Sequence, residues 1–465
     1  MTSILLRFIT IHCLVLVLAS TVFAADAPAT APAGTAELSA TAPAAPAKEA
    51  APIGAASAGD TELATAASAS HFYPVRRKDQ FPKDFGYAAF PYPYSLPGIG
   101  SGLGLVGGAS NIAGTYTDAY AMIFTGDVRG TALGVTDIHI VPRTLILDLG
   151  YGTISEATIH SYSQRGMNTN KYDYRLIEFG DTQYYGGRLT ATFIERRFEV
   201  YGAWYEGSMK LKSIMDKDGN VIIQSTDATK EHGHTMMVGT RLDLTDDYAD
   251  PRKGIRFDVT RSASPPSDSG PDFYVMDYNT TAYIPLGRRS TWAFNLLRSD
   301  AVVTRTGETS SAKLQTLQGL DCSSITDTEK QKFCYEVIDN MIANNTYGTA
   351  TTLGGFSRLR AYSQGRYKGA HTLFYGTEVR WNLTDERTPI DIFIMKDIRT
   401  AIQLSMFYEA GSVTDTRSEL GKIMRDSYGF GLRIVTASGV VFRGDLGFGR
   451  EGVSPEIFIG YPWEI

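Results

Sequence analysis

Apolar and polar side chains alternate with a period of two along much of this chain. Along 373–381, one face carries Leu, Tyr, Val and Trp, and the other carries Gly, Glu and Arg. The segments 145–151, 274–284 and 428–434 repeat this pattern. Because successive side chains of a β-strand point to opposite faces, a period of two predicts strands with one apolar face. Runs of about ten residues with aromatic ends are typical of membrane barrels, whereas strands of soluble sheets average about five or six.

The connections between the alternating segments differ in length. Short turns lie at 194–199, 250–254, 285–290 and 436–439, and long polar connections lie at 161–180, 213–230 and 306–352. An outer-membrane barrel has short turns at one rim and long loops at the other, so this pattern favours a barrel over a soluble sandwich. We therefore predict an all-β fold, a transmembrane antiparallel β-barrel of about 14 to 16 strands, with 16 as the preferred number.

The composition fits this fold and argues against one class of function. The chain has 46 Gly, 26 Tyr and 22 Phe and a mean hydropathy of -0.13. These values suit either a large soluble β protein or an outer-membrane barrel, which faces lipid at alternate residues only. The formal net charge of -6 argues against a nucleic-acid binder, which needs a basic face. The alternation and the turn lengths therefore decide the fold class.

The first part of the chain is predicted to lie outside the barrel. Residues 1–24 have the basic start, apolar run and small-x-Ala end of a signal peptide, so we expect export and cleavage after Ala24. Residues 25–70 are rich in Ala and Pro and lack an apolar pattern, which predicts a disordered tail. A basic and aromatic bridge, rich in Tyr and Pro, follows at 71–98, and the barrel is predicted at 99–465.

Two cysteines follow the predicted signal peptide, and both lie in the connection 306–352. In an exported protein, Cys322 and Cys334 are expected to form a disulfide, which would close a small polar loop. Two unpaired thiols are the alternative. The C-x-x-C spacing of metal or redox sites is absent from the sequence.

The final residues alternate in the same way as the internal strands. Ile457, Ile459, Tyr461, Trp463 and Ile465 fall on one face of a segment that runs to the last residue. This pattern predicts a terminal strand with one apolar face, as is common at the end of outer-membrane barrels.

Three motifs resemble one family. LGG-x-x-x-LRAY at 353–362 resembles the sixth-loop motif of the BamA/TamA superfamily of outer-membrane assembly barrels, also called bacterial surface antigens. MFYEAGSV at 406–413 resembles a later strand motif of that family, and DDYADPRKGIRFDV at 246–259 resembles its turn and following strand. The residues of the loop motif are Leu353, Gly354, Gly355, Leu359 and Ala361. The family's usual glycine is replaced by Ala361, which would be strained if that position needs a positive φ.

The resemblance implies that the loop folds into the barrel and is held there by an ion pair. It assigns Arg360 and Tyr362 to the loop, and it assigns Phe407 and Glu409 to the strand that the loop contacts. The alternation along 402–411 independently places Phe407 and Glu409 inside. A guanidinium and a carboxylate form the strongest kind of pair for such a site. The alternative is a loop arginine and a solvated lumenal glutamate that never meet.

Other candidate sites have simpler explanations. His232 and His234 would share one face of a strand, but a metal site needs a third ligand, so a rim strand is the better interpretation. The segment 216–220 resembles part of a calcium loop but lacks the later carboxylates, and we predict a turn. The sequence has no G-x-S-x-G elbow and no Ser/His/Asp set. We therefore predict no enzyme activity, no metal and no cofactor.

The resemblance also implies a function and a location. The family members assist the insertion or remodelling of proteins or lipids in the outer membrane of Gram-negative bacteria. They carry periplasmic POTRA domains before the barrel, whereas here a tail and a bridge precede it, so we expect a member that lacks POTRA domains. Outer-membrane lipids are the expected partners, with unfolded outer-membrane proteins or periplasmic subunits as further candidates.

A weak seam would be the working part of such a barrel. We predict it between a first strand near 101–112 and a last strand at 457–465, because unpaired strand edges can template an incoming strand. A passive channel and a structural or surface-antigen barrel are the alternatives.

Overall fold

The computed structural model describes residues 73–81, 85–225, 230–264, 270–384, 389–392, 395–436 and 441–463. The predicted signal peptide, the predicted tail and Ile465 lie outside these residues. No helix among the described residues has the length and apolar character needed to cross a membrane.

Sixteen strands in the described part of the chain form one antiparallel sheet that closes on itself. They are β1 Gly86–Leu96, β2 Gly100–Ser110, β3 Asp118–Gly126, β4 Val128–Val141, β5 Leu145–Tyr162, β6 Tyr174–Phe193, β7 Phe198–Met215, β8 Glu231–Thr245, β9 Gly254–Ala263, β10 Asp272–Pro285, β11 Ser290–Arg305, β12 His371–Asn382, β13 Met395–Thr414, β14 Arg425–Thr436, β15 Val441–Gly449 and β16 Gly452–Ile459. Two short strands, Val221–Gln224 and Pro389–Ile392, pair with β7 and β13. Each barrel strand pairs with the next, and β1 pairs with β16 to close the barrel. The predicted fold class and strand number are confirmed.

The alternation places polar side chains inside the barrel and apolar side chains outside. In β13, Leu404, Met406 and Tyr408 are exposed on the outer face, whereas Phe407 and Glu409 are buried inside. The same period of two that predicts a strand therefore also decides which side chains can form a lumenal site.

The two rims of the barrel differ in their connections. The short-turn rim carries the turns that follow β2, β4, β6 and β8, and β1 begins and β16 ends there. The opposite, long-loop rim carries the connection 306–370 between β11 and β12. At that rim, the ends of the long strands β5, β6 and β7 contribute an apolar surface that this connection covers.

The first half of this connection folds into two helices, which we name the cap: α1 Ser311–Leu317 and α2 Thr328–Tyr347. Asp327 caps α2, since its side chain accepts hydrogen bonds from the N–H groups of Glu329 and Lys330. The apolar face of α2, including Phe333 and Ile338, packs against β5, β6 and β7. A disulfide joins Cys322 to Cys334 within the cap. A long polar loop was predicted here, and the structure instead shows helices around a small apolar core.

The barrel begins earlier than predicted. β1 starts at Gly86, inside the segment predicted as a bridge, so the predicted first strand near 101–112 is the second strand. Pro91 and Pro93 led to the wrong interpretation, because proline removes a donor from a strand ladder. Since β1 meets β16 at a single residue pair in the described chain, it tolerates proline as an edge strand does.

The last strand ends earlier than predicted. β16 stops at Ile459, and Gly460 takes a φ of +109°, which favours glycine and turns the chain into the barrel. Ile457 lies in β16 as well, but Tyr461 and Trp463 leave the strand and are buried in the lumen. In the sequence, Tyr461 and Trp463 continue the period of two beyond Gly460. The alternation alone could therefore not show where the strand ends.

Candidate functional site

The second half of the long connection, the inward loop 353–369, lies inside the barrel. Leu353 and Tyr367 form an isolated β-bridge that closes the loop at its base. Gly354 and Gly355 take φ values of +103° and +102°. A Cβ on Gly354 would lie 2.3 Å from the carbonyl oxygen of Ser363, so the loop excludes a side chain as well as favouring glycine by its backbone conformation. The two motif glycines are therefore required by the shape of the loop.

Ala361 occupies its position without backbone strain. The left-handed residue next to Arg360 is Leu359, with a φ of +54°, and Ala361 is not among the residues of positive φ. The methyl group of Ala361 faces β15, where a Cβ on Gly449 would come within 2.8 Å of it. Gly449 in the barrel wall thus leaves room for the methyl group, and the loop does not need a glycine at position 361.

Arg360 is fully buried and reaches three carboxylates. Its Nε donates to Oε1 of Glu409 at 2.9 Å, and its backbone N–H donates to Oε2 of the same residue at 2.9 Å. Its Nη1 donates to Oδ2 of Asp445 at 2.6 Å, and its Nη2 donates to Oε2 of Glu378 at 3.1 Å. The guanidinium lies 3.5 Å from the centroid of the Phe407 ring. The structure thus brings the predicted pair together and adds two carboxylates to it.

Three further arginines complete the network around these carboxylates. Arg433 donates to both oxygens of Glu378, and Nε of Arg380 donates to Oε1 of Glu378 at 2.7 Å. Nη1 of Arg443 donates to Oδ2 of Asp445 at 3.1 Å. We name this network the lumenal lock: Arg360, Glu378, Arg380, Glu409, Arg433, Arg443 and Asp445.

The burial of the lumenal lock decides what it can do. Removing an ion from water costs several kcal/mol, and the cost is offset only where each charge keeps partners of good geometry. The members of the lock are at most 4% exposed and come from the loop and from the four neighbouring strands β12, β13, β14 and β15. The arrangement therefore fixes the loop to one wall of the barrel, which is a structural role.

Two other loop residues reach the long-loop rim. The hydroxyl of Tyr362 donates to the carbonyl oxygen of Asp426 at 3.0 Å. Arg366 donates to Glu451 at 2.8 Å and to the hydroxyl of Thr169 at 2.6 Å. The loop is thus held at its tip by the lumenal lock and near its base by the rim.

The C-terminal tail, residues 460–463, inserts into the same network. Nε1 of Trp463 donates to Oε1 of Glu409 at 2.8 Å, and the carbonyl oxygen of Trp463 accepts from Arg358 and from Asn279, both at 3.0 Å. The Tyr461 ring lies 4.1 Å from the Arg380 guanidinium. The tail and the loop therefore share Glu409, which the sequence did not indicate.

A sequence model of the Omp85 superfamily domain matches residues 142–449, which is more than half of the chain and includes the inward loop and the whole lumenal lock. The chain belongs to the Omp85 superfamily. The predicted membership of a superfamily of outer-membrane barrels is thereby confirmed. Omp85-family barrels like BamA and CdiB are outer-membrane proteins of Gram-negative bacteria.

Solved Omp85-type structures are similar to this chain at low identity. BamA from Haemophilus ducreyi lacking POTRA domains 1-3 is 13% identical, with a TM-score of 0.43 over 82% of this chain and 75% of that chain. CdiB from Escherichia coli is 11% identical, with a TM-score of 0.45 over 82% and 68%. CdiB from Acinetobacter baumannii is 11% identical, with a TM-score of 0.42 over 81% and 65%. No curated protein matches the chain.

The closure of this Omp85 barrel, which we name the seam, has a sparse ladder. In the described residues, β1 and β16 pair at Ser95 and Ile457, whereas β1 and β2 share eleven pairs and β15 and β16 share eight. The hydroxyl of Ser95 donates to the carbonyl oxygen of Pro455 at 3.2 Å. Phe90 of β1 packs edge-on against Phe442 of β15, with ring centroids 4.9 Å apart. Side-chain packing thus supplies part of the stabilisation that a longer ladder of backbone hydrogen bonds would give the seam.

The remaining candidates of the sequence do not form a site in the structure. His232 and His234 are exposed on β8, and the described residues contain no cluster of three or more metal-ligating side chains. Oδ1 of Asp216 accepts hydrogen bonds from the backbone N–H groups of Asp218 and Asn220, both at 2.9 Å. The segment 216–220 is therefore a turn that its own first residue stabilises.

Proposed function

We propose that this Omp85 barrel assists the insertion or remodelling of proteins or lipids in the outer membrane, that it works at the seam, and that it does so without enzyme chemistry. In this proposal the short-turn rim faces the periplasm, and outer-membrane lipids and unfolded outer-membrane proteins are the partners. The observation that carries the proposal is the sparse β1–β16 ladder in a barrel whose other neighbouring strands are joined by at least seven pairs each in the described chain.

The sparse ladder gives the barrel a strand edge that can act as a template. Unpaired N–H and C=O groups of an edge strand bind an extended segment by strand addition. The lumenal lock lies on the wall formed by β12 to β15, beside one side of the seam, and would keep that wall rigid while β1 moves. The proposal thus divides the barrel into a fixed wall and a movable edge.

A passive channel is the alternative, and the filled lumen argues against a wide one. Arg360 and Trp463 are at most 1% exposed at the level of the lumenal lock. In planar bilayers we expect small, flickering currents rather than large and steady openings. Large steady openings would support the channel instead.

A cross-link across the seam tests the proposal. Ser95 and Ile457 are Cα partners, so cysteines at both positions have suitable geometry for a disulfide. In cells depleted of the wild-type protein, we expect outer-membrane protein and lipid profiles to change. The single variants Ser95→Cys and Ile457→Cys should restore them, whereas the cross-linked double variant should not. Full restoration by the cross-linked variant, or unchanged profiles after depletion, would overturn the proposal.

A further inference from the structure

The latch segment, residues 73–81, lies along half of the short-turn rim. Tyr73 stacks with Arg197 after β6, at 4.2 Å from ring centroid to guanidinium. The Phe81 ring contacts Arg143 after β4 at 4.9 Å and Tyr116 after β2 at a centroid distance of 6.4 Å. A segment that touches this many turns is a docked peptide rather than a loose linker.

The centre of the latch segment binds the acidic β8–β9 turn, residues 246–253. The backbone N–H of Arg77 donates to the carbonyl oxygen of Asp246 at 2.7 Å, and its guanidinium lies 3.1 Å from the carboxylate of Asp246. The same guanidinium donates to the carbonyl oxygen of Asp250 at 2.5 Å. Nζ of Lys78 lies 3.4 Å from Asp247. Charge and backbone pairing therefore both hold the segment on this turn.

Arg76 anchors the segment from the side of the lumen. Its side chain is 5% exposed and donates to the carbonyl oxygens of Glu195 and Arg196, at 3.2 and 3.1 Å. It also lies 3.5 Å from Asp243. A buried charge costs free energy unless it keeps its partners. Release of the segment would therefore expose Arg76 and these partners to water together.

The same turn also holds the C-terminal tail. The hydroxyl of Tyr461 donates to Oδ1 of Asp250 at 2.7 Å, and Oδ2 of Asp250 lies 3.4 Å from the Arg77 guanidinium. The tail continues from β16 and the latch segment precedes β1, so the chain on each side of the seam runs to Asp250. The turn lies between β8 and β9, on the far side of the barrel from the seam.

We propose that the β8–β9 turn is a binding site for a basic, aromatic peptide segment, and that its occupation by residues 73–81 holds the seam closed. With Tyr461 and Arg77 both on Asp250, the turn restrains the two seam strands together. A partner that presents a similar segment would displace residues 73–81 and free β1. The biological meaning of the site rests on the proposed function of the seam, but the state of the seam can be measured without any client.

The rate of a seam cross-link measures this restraint. Purified protein carrying Ser95→Cys and Ile457→Cys is reduced and then oxidised, and formation of the new disulfide is followed on gels. In the variant Arg76→Glu/Arg77→Glu we expect the initial rate to fall by about tenfold. A factor of ten corresponds to about 1.4 kcal/mol, which is less than the cost of burying like charges beside each other. An unchanged rate would overturn the proposal.

A matched control carries the same change of charge elsewhere. Arg129 and Arg417 are 65% and 73% exposed and lie away from the short-turn rim. Arg129→Glu/Arg417→Glu should keep the wild-type rate, and an equal fall in this control would also contradict the proposal. If the double reversal in the latch segment does not fold, Arg77→Gln tests the same contacts. The expected fall is about threefold, because the ion pairs of a partly exposed guanidinium are lost without a like charge taking its place.

A peptide tests the chemistry of the site. A labelled peptide of residues 73–81 should bind the Arg76→Glu/Arg77→Glu protein, whose turn is vacated, and should bind the wild-type protein much more weakly. The same peptide with both arginines replaced by glutamate should bind neither. Equal binding of the unaltered peptide to both proteins would show that residues 73–81 do not occupy this site. Loss of client insertion in cells would bear on the proposed function alone.

Discussion

The two halves of the connection between β11 and β12 are stabilised in opposite ways. The cap buries apolar side chains such as Phe333 and Ile338 against the ends of β5 to β7 and is closed by a disulfide. The inward loop buries charge, with Arg360 among three carboxylates. One continuous stretch of chain thus contains a small apolar core and a dry ion network.

The barrel depends more on the inward loop than on the cap. An apolar contact contributes roughly in proportion to the area it buries, so the cap can lose one contact and keep the others. A buried ion network loses much more when one partner is removed, because the remaining charges stay desolvated. We therefore expect defects in the cap to stay local and defects in the lumenal lock to affect the whole barrel.

The largest effect is expected from reversing charges in the lumenal lock. Arg360→Glu and Glu409→Arg each leave like charges buried together, so each should cost at least about 3–5 kcal/mol and impair folding. Heat-modifiable gel mobility, which separates folded from unfolded barrels, measures this loss.

The combined variant decides whether the two residues act as a pair. Arg360→Glu/Glu409→Arg should recover part of the folded fraction. The recovery should be incomplete, because Glu378 and Asp445 would then face the new glutamate at position 360. Additive damage in the double variant would mean that the contact does not stabilise the barrel.

Removal of the disulfide should give a smaller and more local effect. The variant Cys322→Ser/Cys334→Ser should lose about 2–4 kcal/mol of cap stability, since the disulfide closes a loop with a sequence separation of 12. We expect faster proteolysis within α2 and unchanged heat-modifiable mobility of the barrel. Loss of the folded barrel would show that cap and barrel form one cooperative unit and would remove the contrast between the two halves.

The sequence predicted which way most residues of the lumenal lock point, but not the contacts among them. The alternation placed Glu378 and Arg380 on the polar face of one strand and Arg433 on that of another, as the structure shows. The alternation along a strand shows whether a residue faces the lumen or the membrane. Its position around the barrel depends on the pairing registers of several strands. The contacts of Asp445 with the loop could therefore not be predicted.

The chain ends were misread for a related reason. Pro91 and Pro93 reduced the strand signal of β1, and Tyr461 and Trp463 kept the strand parity after Gly460 had turned the chain inward. The helices of the cap were missed because α2 is polar along most of its surface and buries a narrow apolar face. In each case a tertiary contact outweighs the local pattern.

The smallest effect is expected where the cap meets the barrel. Nη2 of Arg175 in β6 lies 3.0 Å from Glu336 of α2, and Lys332 lies 3.8 Å from the same carboxylate within the helix. Arg175→Ala should cost about 1 kcal/mol or less, because exposed and partly exposed ion pairs contribute little. Lys332→Ala is the matched control, since it removes the other partner of Glu336 and its side chain is 61% exposed. We expect Arg175→Ala to accelerate proteolysis of the cap by a small factor and Lys332→Ala to leave the rate unchanged. If both variants behave alike, the contact with β6 does not position the cap, and apolar packing alone holds this half of the connection.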